Sequence, residues 1–320
     1  MLAPLVAPLL AIVGATATGK SALGMALAER LGGEIVNADA LQVYRGLDIG
    51  TAKPTMAERA RVPHHLLDIL EPHERWSAGE FARRALEAVG EIAGRGRLPI
   101  VVGGSGLYLR ALLSGISPIP PGDPAVREEL RARVAAEGLP ALGAELARLD
   151  PETAARLPAG DTQRILRALE VALVSGRPLS AWIRSQPFGK KRLSAVTVGL
   201  TLPRALLYDQ LAGRVTRMVE QGWVAEVAGL LDRGLEPSLP AFQAIGYRQL
   251  VLHVRGEWSL ERAIDDTITA TRRFAKRQET WFRKEPDVTW FPAQDLPHDL
   301  ENRLPQILEH VCSGLGRAHA

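Results

Sequence analysis

Short apolar runs alternate with amphipathic segments along the N-terminal part of the chain. Helical patterns at 21–31 and 78–93 each separate two apolar runs. The apolar runs that are typical of strands are 9–13, 34–37, 66–70, 98–102 and, after a long gap, 195–200. Strands joined by helical crossovers of this length are usually parallel and covered by helices on both faces. The pattern therefore predicts a doubly wound α/β domain.

A helical insertion is predicted in the middle of the chain. A cluster of prolines at 118–124 marks a loop. The helical patterns that follow without an intervening strand are 125–137, 139–149 and 161–175. We expect an all-helical domain at 118–193, inserted into a core made of 1–117 and 194–320. A basic, hinge-like segment at 189–192 leads back to the core. Long helices are predicted after the last core strand, at 204–221, 224–233 and 260–284.

The composition is that of a globular protein. Hydrophobic residues make up 46% and charged residues 23%, and Cys312 is the only cysteine, which excludes disordered, collagen-like and disulfide-stapled chains. No basic residue precedes the glycine-rich motif that follows the apolar start, so we interpret 1–13 as a strand and not as a secretory signal. No stretch approaches the ~20 apolar residues of a membrane span. We expect a soluble, cytoplasmic protein, and a monomer.

Arginine dominates the positive charge. Although the net charge is only +3, 33 of the 39 basic residues are arginine, whose planar guanidinium suits phosphate and carboxylate groups. This bias favours a polyanionic partner or reflects a GC-rich genome, and only the positions of the arginines can decide.

A phosphate-binding loop follows the first predicted strand. The residues that match G-x-x-x-x-G-K-[ST] are Gly14, Ala15, Thr16, Ala17, Thr18, Gly19, Lys20 and Ser21. Backbone N–H groups, the positive end of the following helix and Lys20 suit two linked phosphates, and the Ser21 hydroxyl suits Mg²⁺. Because strand, motif and helix occur in order, a chance glycine-rich turn is much less favoured. The loop recognises a diphosphate and does not by itself specify ATP.

Asp39 lies where the second predicted strand ends. Ligand groups gather at the carboxyl ends of strands in open α/β sheets, so Asp39 is placed to face the phosphate loop. There it could bind Mg²⁺ through water or accept a proton from a substrate. The alternative for an isolated aspartate is a helix N-cap. A second glycine motif, VGGSGLY at 102–108, also follows a strand, and a structural turn explains it as often as a site does.

Two basic segments could contact a polyanion. Arg131, Arg133, Gln163, Arg164 and Arg167 lie on the predicted insertion, and the last three share a helical face. The default for such a face is a solvated charge stripe.

The second basic segment, 271–284, combines six basic residues with three aromatics. This combination suits an RNA loop. The alternative is an amphipathic helix with its aromatics in the core, which we favour for Phe274 and Trp281. His64 and His65 have no partners at metal-ligand spacing, so we predict no zinc site.

These motifs together resemble the tRNA dimethylallyltransferase (isopentenyltransferase) family over nearly the whole chain. The matching blocks are GATATGKS from Gly14, NAD and QVYRGLDIGTAKP from Asn37, VPHHLLD from Val62, VGGSGLY from Val102, QRILRALEV from Gln163, the residues Arg214, Met218, Gly222 and Glu226, AIGYRQ from Ala244 and ATRRFAKRQETWFRK from Ala270. The resemblance implies a P-loop kinase-like core, with a parallel sheet flanked by helices, and a helical insertion that closes over the tRNA anticodon stem-loop. It implies transfer of a dimethylallyl group from dimethylallyl diphosphate to N6 of adenine 37, in tRNAs reading codons that start with U.

The resemblance also implies roles for individual residues. Asp39 corresponds to the general base, the loop from Gly14 to Ser21 holds the diphosphate with Mg²⁺ on Ser21, and Arg214 helps to bind the prenyl diphosphate. The positions that fall where the family contacts tRNA are Asp39, Ala40, Leu41, Gln42, Ser105, Arg127, Gln163, Arg164, Ile165, Leu166 and Arg167.

The chain departs from the family pattern at three positions. Ala40 replaces a serine and offers no side-chain hydrogen bond to a base, whereas Ser105 replaces a threonine and keeps the hydroxyl. Ala15 replaces a proline, which changes only the stiffness of the loop.

Two other functions compete with this one. A P-loop nucleoside or small-molecule kinase would use the same loop to transfer the γ-phosphoryl group of ATP. A non-catalytic RNA-binding module would use the basic helices alone.

Overall fold

The computed structural model describes residues 8–185, 192–293 and 300–316. The chain divides into two compact units, one made of Met1–Leu113 with Lys191–Ala320 and the other of Ser114–Lys190. Residues 1–7 of the predicted first strand, and 189–191 of the predicted hinge-like segment, lie outside the described residues.

The first unit is built on a parallel sheet of six described strands, in the order β3-β2-β4-β1-β5-β6. The strands are β1 Leu9–Gly14, β2 Gly33–Asn37, β3 His64–His65, β4 Leu98–Val102, β5 Ala195–Thr201 and β6 Val288–Pro292. The predicted α/β class and parallel sheet are confirmed. Since all of these strands run the same way, the loops after β1, β2 and β4 emerge at one edge.

The strand predicted at 66–70 is wrong. Leu66 and Asp68 adopt left-handed backbone angles, with φ of 63° and 52°, and Leu70 makes only an isolated bridge to Tyr44. The Asp68 carboxylate pairs with Lys53 and Arg59. These ion pairs favour a turn here, although the apolar residues of the segment are typical of a strand.

A strand was also missed after the long C-terminal helix. β6 pairs along β5 at the edge of the sheet, and of its five residues only Phe291 is buried. An edge strand buries too few side chains to give a continuous apolar run.

The helices of the first unit cover both faces of the sheet. They are α1 Lys20–Leu31, α2 Met56–Arg61, α3 Ala78–Gly94, α4 Gly106–Ser114, α10 Arg204–Glu220, α11 Trp223–Asp232, α12 Tyr247–Val254, α13 Leu260–Phe282 and α14 Leu300–Leu315, with a 3₁₀ turn at Pro240–Gln243. Alternate strand residues separate the two faces: Leu10 and Ile12 pack with α1, whereas Ala11 and Val13 pack with α3 and α4. Among the described helices, none combines the length and apolarity that crossing a bilayer requires.

The second unit is helical throughout its described part. Its helices are α5 Pro124–Glu137, α6 Leu139–Leu149, α7 Pro151–Arg156, α8 Thr162–Ser175 and α9 Leu179–Ser185. Leu130, Leu142 and Leu169 lie in its core. Aspartate side chains start several helices: Asp123 accepts hydrogen bonds from the first turn of α5, and Asp161 from that of α8.

Glu170 of α8 is a buried carboxylate of this unit. Its side chain is 1% exposed, and its Oε2 accepts hydrogen bonds from Arg127 Nη2 at 2.7 Å and Arg167 Nη1 at 2.8 Å. Burial alone would raise the pKa of Glu170, but these hydrogen bonds and charges outweigh it and lower the pKa. A lowered carboxyl pKa stabilises the fold above the unfolded value, about 4.3, and this contribution is lost as the pH falls through the folded value.

We expect Glu170→Gln to loosen the second unit, because an amide cannot hold two guanidinium groups by charge-assisted bonds. The loss of about 2 kcal/mol corresponds to about 30-fold faster amide hydrogen exchange in peptides from α8 at neutral pH. Glu128→Gln is the matched control, because Glu128 is an exposed partner of Arg131 on α5. Equal exchange in the two variants would contradict this role of Glu170.

Candidate active site

The loop between β1 and α1 has the geometry of a phosphate cradle. Gly14 has a φ of 140°, and a Cβ there would lie 2.5 Å from the Leu200 carbonyl oxygen. Ala17 and Gly19 are left-handed, with φ of 64° and 88°. Because Gly19 caps α1 without a side chain, the N–H groups of the first turn remain available to an anion, and the helix dipole favours one.

Lys20 is the first residue of α1, and its Nζ donates to the Ala15 carbonyl oxygen of the loop. The pKa of Lys20 is lowered to about 7, mainly by burial and also by the charge of Arg214, while the Asp39 carboxylate opposes both effects. The ammonium group therefore titrates near neutrality, and an anion beside it would favour its charged form.

Arg214 projects from α10 toward the same loop. Burial is the main cause that lowers the pKa of its guanidinium, while the Asp39 carboxylate raises it and Arg217 lowers it. An arginine stays charged under all ordinary conditions. The site thus concentrates cationic groups around one carboxylate.

Asp39 is held by the turn that follows β2. Its N–H donates to Asn37 Oδ1 at 3.2 Å, and its Oδ1 accepts the Leu41 N–H at 2.8 Å. No helix begins here, so the N-cap alternative is wrong. Ala38 N–H donates to the Val102 carbonyl oxygen at 2.8 Å, which ties the turn to the end of β4.

The second glycine motif packs closely against its neighbours. A Cβ on Gly103 would lie 2.3 Å from the Ala38 carbonyl oxygen, and a Cβ on Gly104 would lie 2.1 Å from Gln278 Nε2. Gln278 of α13 accepts the Thr16 N–H and donates to the Gly104 carbonyl oxygen, both at 2.9 Å. This side chain therefore ties the phosphate loop to the second glycine loop. The sequence analysis did not identify Gln278. The one feature that could have indicated it is an uncharged amide within a basic helix.

Glu226 of α11 anchors the loop that runs from 46 to 54. Its carboxylate accepts backbone N–H groups of Asp48, Ile49 and Gly50 at 3.0, 2.7 and 3.4 Å, and the Tyr247 hydroxyl at 2.6 Å. The contacts of Glu226 fix the backbone of this loop where it borders the site.

Lys53 and Gln42 anchor the same loop from its other side. The buried ammonium of Lys53 donates to the Tyr44 carbonyl oxygen at 2.7 Å and pairs with Asp48 and Asp68. Gln42 donates to the Thr51 carbonyl oxygen at 3.0 Å.

Two cavities meet at Asp39. The smaller, about 270 Å³, is lined by the phosphate loop, Ser21 and Gln42. The larger, about 410 Å³, has an apolar wall that includes Leu211, Val215 and Met218. The residues that border both cavities are Thr16, Asp39, Thr51, Arg214 and Phe274. The carboxylate thus lies between a phosphate cradle and an apolar space.

The exposure of Phe274 contradicts the core position predicted for this residue. Its ring is 36% exposed and borders both cavities. Trp281 is half-buried, with the Arg110 guanidinium 4.7 Å from its ring centroid, and Phe282 is buried in the core. The helical period alone could not separate these three rings.

The predicted tRNA-contacting positions of the first unit lie together. Ala40, Leu41 and Ser105 border the larger cavity beside Asp39, and Gln42 borders the smaller.

Those of the second unit differ in their exposure and in the contacts that they make. Gln163 and Arg164 are exposed, and Arg164 pairs with Asp161. Arg127 and Arg167 bind Glu170, so both guanidinium groups are engaged within the unit. The remaining two predicted positions, Ile165 and Leu166, are buried in the core of the unit.

The predicted cationic stripe is largely neutralised. Arg131 pairs with Glu128, and Arg133 pairs with Glu137 and Glu145. The acidic partners lie on neighbouring turns of α5 and on α6. The prediction considered the arginines alone and did not take these carboxylates into account.

Ser21 suits Mg²⁺ only together with a bound diphosphate. Its side chain is exposed at the first turn of α1 and borders the smaller cavity, as does Asp39. Within the described ranges, no group of three or more His, Cys, Asp or Glu could hold a metal ion. Mg²⁺ is commonly held by one or two protein groups plus substrate phosphates, and these residues fit that arrangement.

Comparison with known proteins identifies the family. The model described as IPP transferase matches residues 42–285, and that described as isopentenyl transferase matches 7–74. The tRNA dimethylallyltransferase of Halorhodospira halophila is 50% identical over 314 residues, covering 97% of this chain and 99% of the relative. That of Geobacter metallireducens is 48% identical over 282 residues, covering 88% and 91%.

Solved structures agree with this identification. The full-length tRNA isopentenylpyrophosphate transferase of Bacillus halodurans is 40% identical with a TM-score of 0.71, covering 97% of each chain. A eukaryotic dimethylallyltransferase, solved acting on tRNA, is 26% identical with a TM-score of 0.79, covering 94% of this chain and 77% of that one. With its phosphate loop, its carboxylate between two cavities and these relatives, the chain belongs to the IPP transferase family.

Proposed function

We propose that the chain transfers the dimethylallyl group of dimethylallyl diphosphate to N6 of adenine 37 in tRNA and releases diphosphate. The observation that carries the proposal is the place of Asp39, between the phosphate cradle and the apolar cavity. The similar Halorhodospira halophila protein bears the name of this activity, and the eukaryotic neighbour acts on tRNA. The proposal includes a monomer acting in the cytoplasm on tRNAs that read codons starting with U.

The chemistry needs a base beside the nucleophile. The exocyclic amine of adenine is a poor nucleophile because its lone pair is delocalised into the ring. Asp39 accepts a proton from N6 as the new C–N bond forms and the allylic C–O bond breaks. The leaving diphosphate gains negative charge, which Lys20, Arg214 and the loop N–H groups stabilise more strongly in the transition state than before it. Mg²⁺, bound through Ser21 and the diphosphate, would neutralise part of the same charge.

The adenine must leave its stack to reach this carboxylate. Flipping a nucleotide costs a few kcal/mol, which contacts elsewhere on the stem-loop must offset. Asp39, Ala40, Leu41, Gln42 and Ser105 would contact the loop at the site. Gln163 and Arg164, together with Arg127 and Arg167, would contact it from the second unit.

The two rival functions explain less of the site. A kinase would use the phosphate loop and leave the apolar cavity unexplained, and the relatives named above are dimethylallyltransferases. A non-catalytic RNA-binding module would need neither the phosphate loop nor the buried cations. The transferase would use the phosphate loop, the apolar cavity and the buried cations.

Incubation of unmodified tRNA with the protein, dimethylallyl diphosphate and Mg²⁺ should give N6-(dimethylallyl)adenosine, detected by nucleoside mass spectrometry, and diphosphate in equal amounts. ATP should be neither required nor consumed. ATP hydrolysis or phosphoryl transfer without tRNA would indicate the kinase instead.

We expect Asp39→Asn to lower turnover by a factor on the order of 10² to 10⁴, because the amide cannot accept the proton. Single-turnover product formation measures the change, and stem-loop affinity should stay within about threefold since the shape is kept. Asp209→Asn is the matched control, as Asp209 is exposed on α10 and borders neither cavity. Unchanged turnover in the Asp39 variant would remove this residue from the role of base.

Diphosphate binding should take up a proton at Lys20. With a pKa of about 7, Lys20 is mostly neutral at pH 8 in the free protein, and a bound diphosphate favours its charged form. Calorimetric titrations at pH 8 in buffers of different ionisation enthalpy measure the uptake. The wild type should take up close to one proton more than Lys20→Met, and the difference should shrink at pH 6, where Lys20 is already charged. Subtracting the variant removes the ligand's own titration, so equal uptake by both proteins would refute this account of Lys20.

A further inference from the structure

An aromatic ring is exposed where the two cavities meet. Phe274 borders both cavities and is 36% exposed, although burying a phenylalanine would gain about 1.5–3 kcal/mol. Of the described residues that border both cavities, Phe274 is the only aromatic one. A ring left in this position is available to a ligand that reaches Asp39.

Contacts of the same helix fix the position of the ring. Gln278 lies one turn further along α13 on the same side, 7% exposed, and its two hydrogen bonds tie the helix to Thr16 and Gly104. Ala275 is buried beside it. The helix backbone that carries Phe274 is therefore tied to the phosphate loop, which limits where the ring can lie.

The ring has the chemistry of a base-stacking platform. The Arg277 guanidinium lies 5.7 Å from its centroid, so a cation borders it on one side. A flipped purine has lost both of its stacking neighbours, and an aromatic side chain can replace one at about 1–3 kcal/mol per base. The allylic chain has aliphatic partners in the larger cavity, where Leu211, Val215 and Met218 lie.

We propose that Phe274 stacks on the flipped target purine and holds its N6 toward Asp39, a role that rests on the transferase function proposed above. Alternatively, the allylic chain could pack on the Phe274 ring, and Phe274 would then bind the diphosphate substrate. The two assignments differ in which substrate the ring binds, so kinetics can separate them.

Phe274→Leu keeps an apolar side chain and removes the ring. With the full-length protein and an anticodon stem-loop, we expect the KM for the stem-loop to rise about 10-fold, corresponding to about 1.4 kcal/mol of lost stacking. The KM for dimethylallyl diphosphate should not change, and Phe274→Tyr should restore the KM for the stem-loop to within about twofold. Trp290→Leu is the matched control, since Trp290 is 38% exposed on β6 and borders neither cavity.

A stem-loop with 2-aminopurine at the target position reports directly on base stacking. Its fluorescence would not change if Phe274 only supported the fold of the protein. This base lacks N6 and does not react, and its fluorescence rises when stacking is lost. At saturating protein, the bound fluorescence should be higher with Phe274→Leu than with the wild type or Phe274→Tyr. Thermal melting of each variant checks folding, and Phe274→Met serves in place of leucine if that variant melts early.

A higher KM for dimethylallyl diphosphate with an unchanged KM for the stem-loop would overturn the stacking role and assign the ring to the allylic chain. Unchanged kinetics and fluorescence in an active enzyme would overturn it as well. Absence of product with the wild type would instead refute the transferase function, so the two failures are distinguishable.

Discussion

The site depends on the parallel pairing of β1 between β4 and β5. This pairing places the ends of β1, β2 and β4 at one edge of the sheet, and the phosphate loop, Asp39 and the second glycine loop follow directly from those ends. The close approach of Gly103 to Ala38 shows how tightly the loops pack. A one-residue slip in register would turn the strand side chains to the opposite face and separate the loops.

The cationic groups of the site, Lys20 and Arg214, interact with the Asp39 carboxylate where the two cavities meet. Burial disfavours the charged form of Lys20 and Arg214, and Asp39 opposes that effect at both. A diphosphate would add negative charge beside these cations and favour their protonated forms. In the transfer proposed above, the groups that bind the diphosphate would thus stabilise it as the leaving group, and the Asp39 carboxylate would take the proton.

Polar contacts outside the site hold its walls. Glu226 binds three successive backbone N–H groups, and Lys53 binds a carbonyl oxygen and two carboxylates. The charge of the buried Lys53 ammonium is compensated by these contacts, which is the condition for burying it. Phe274 is the opposite case, an apolar residue that the fold leaves partly exposed beside the Asp39 carboxylate.

The sequence by itself determined the parallel α/β core, the phosphate loop and the place of Asp39. These features depend on short-range patterns, because a strand, a glycine-rich turn and a helix start are each written in adjacent residues. Tertiary structure alone decided that 66–70 is not a strand, that β6 joins the sheet edge, and that Ile165 and Leu166 are buried while Phe274 is not. Each of these outcomes depends on partners distant in the chain, such as Lys53 for Asp68 and Thr16 for Gln278, and a local pattern carries no information about them.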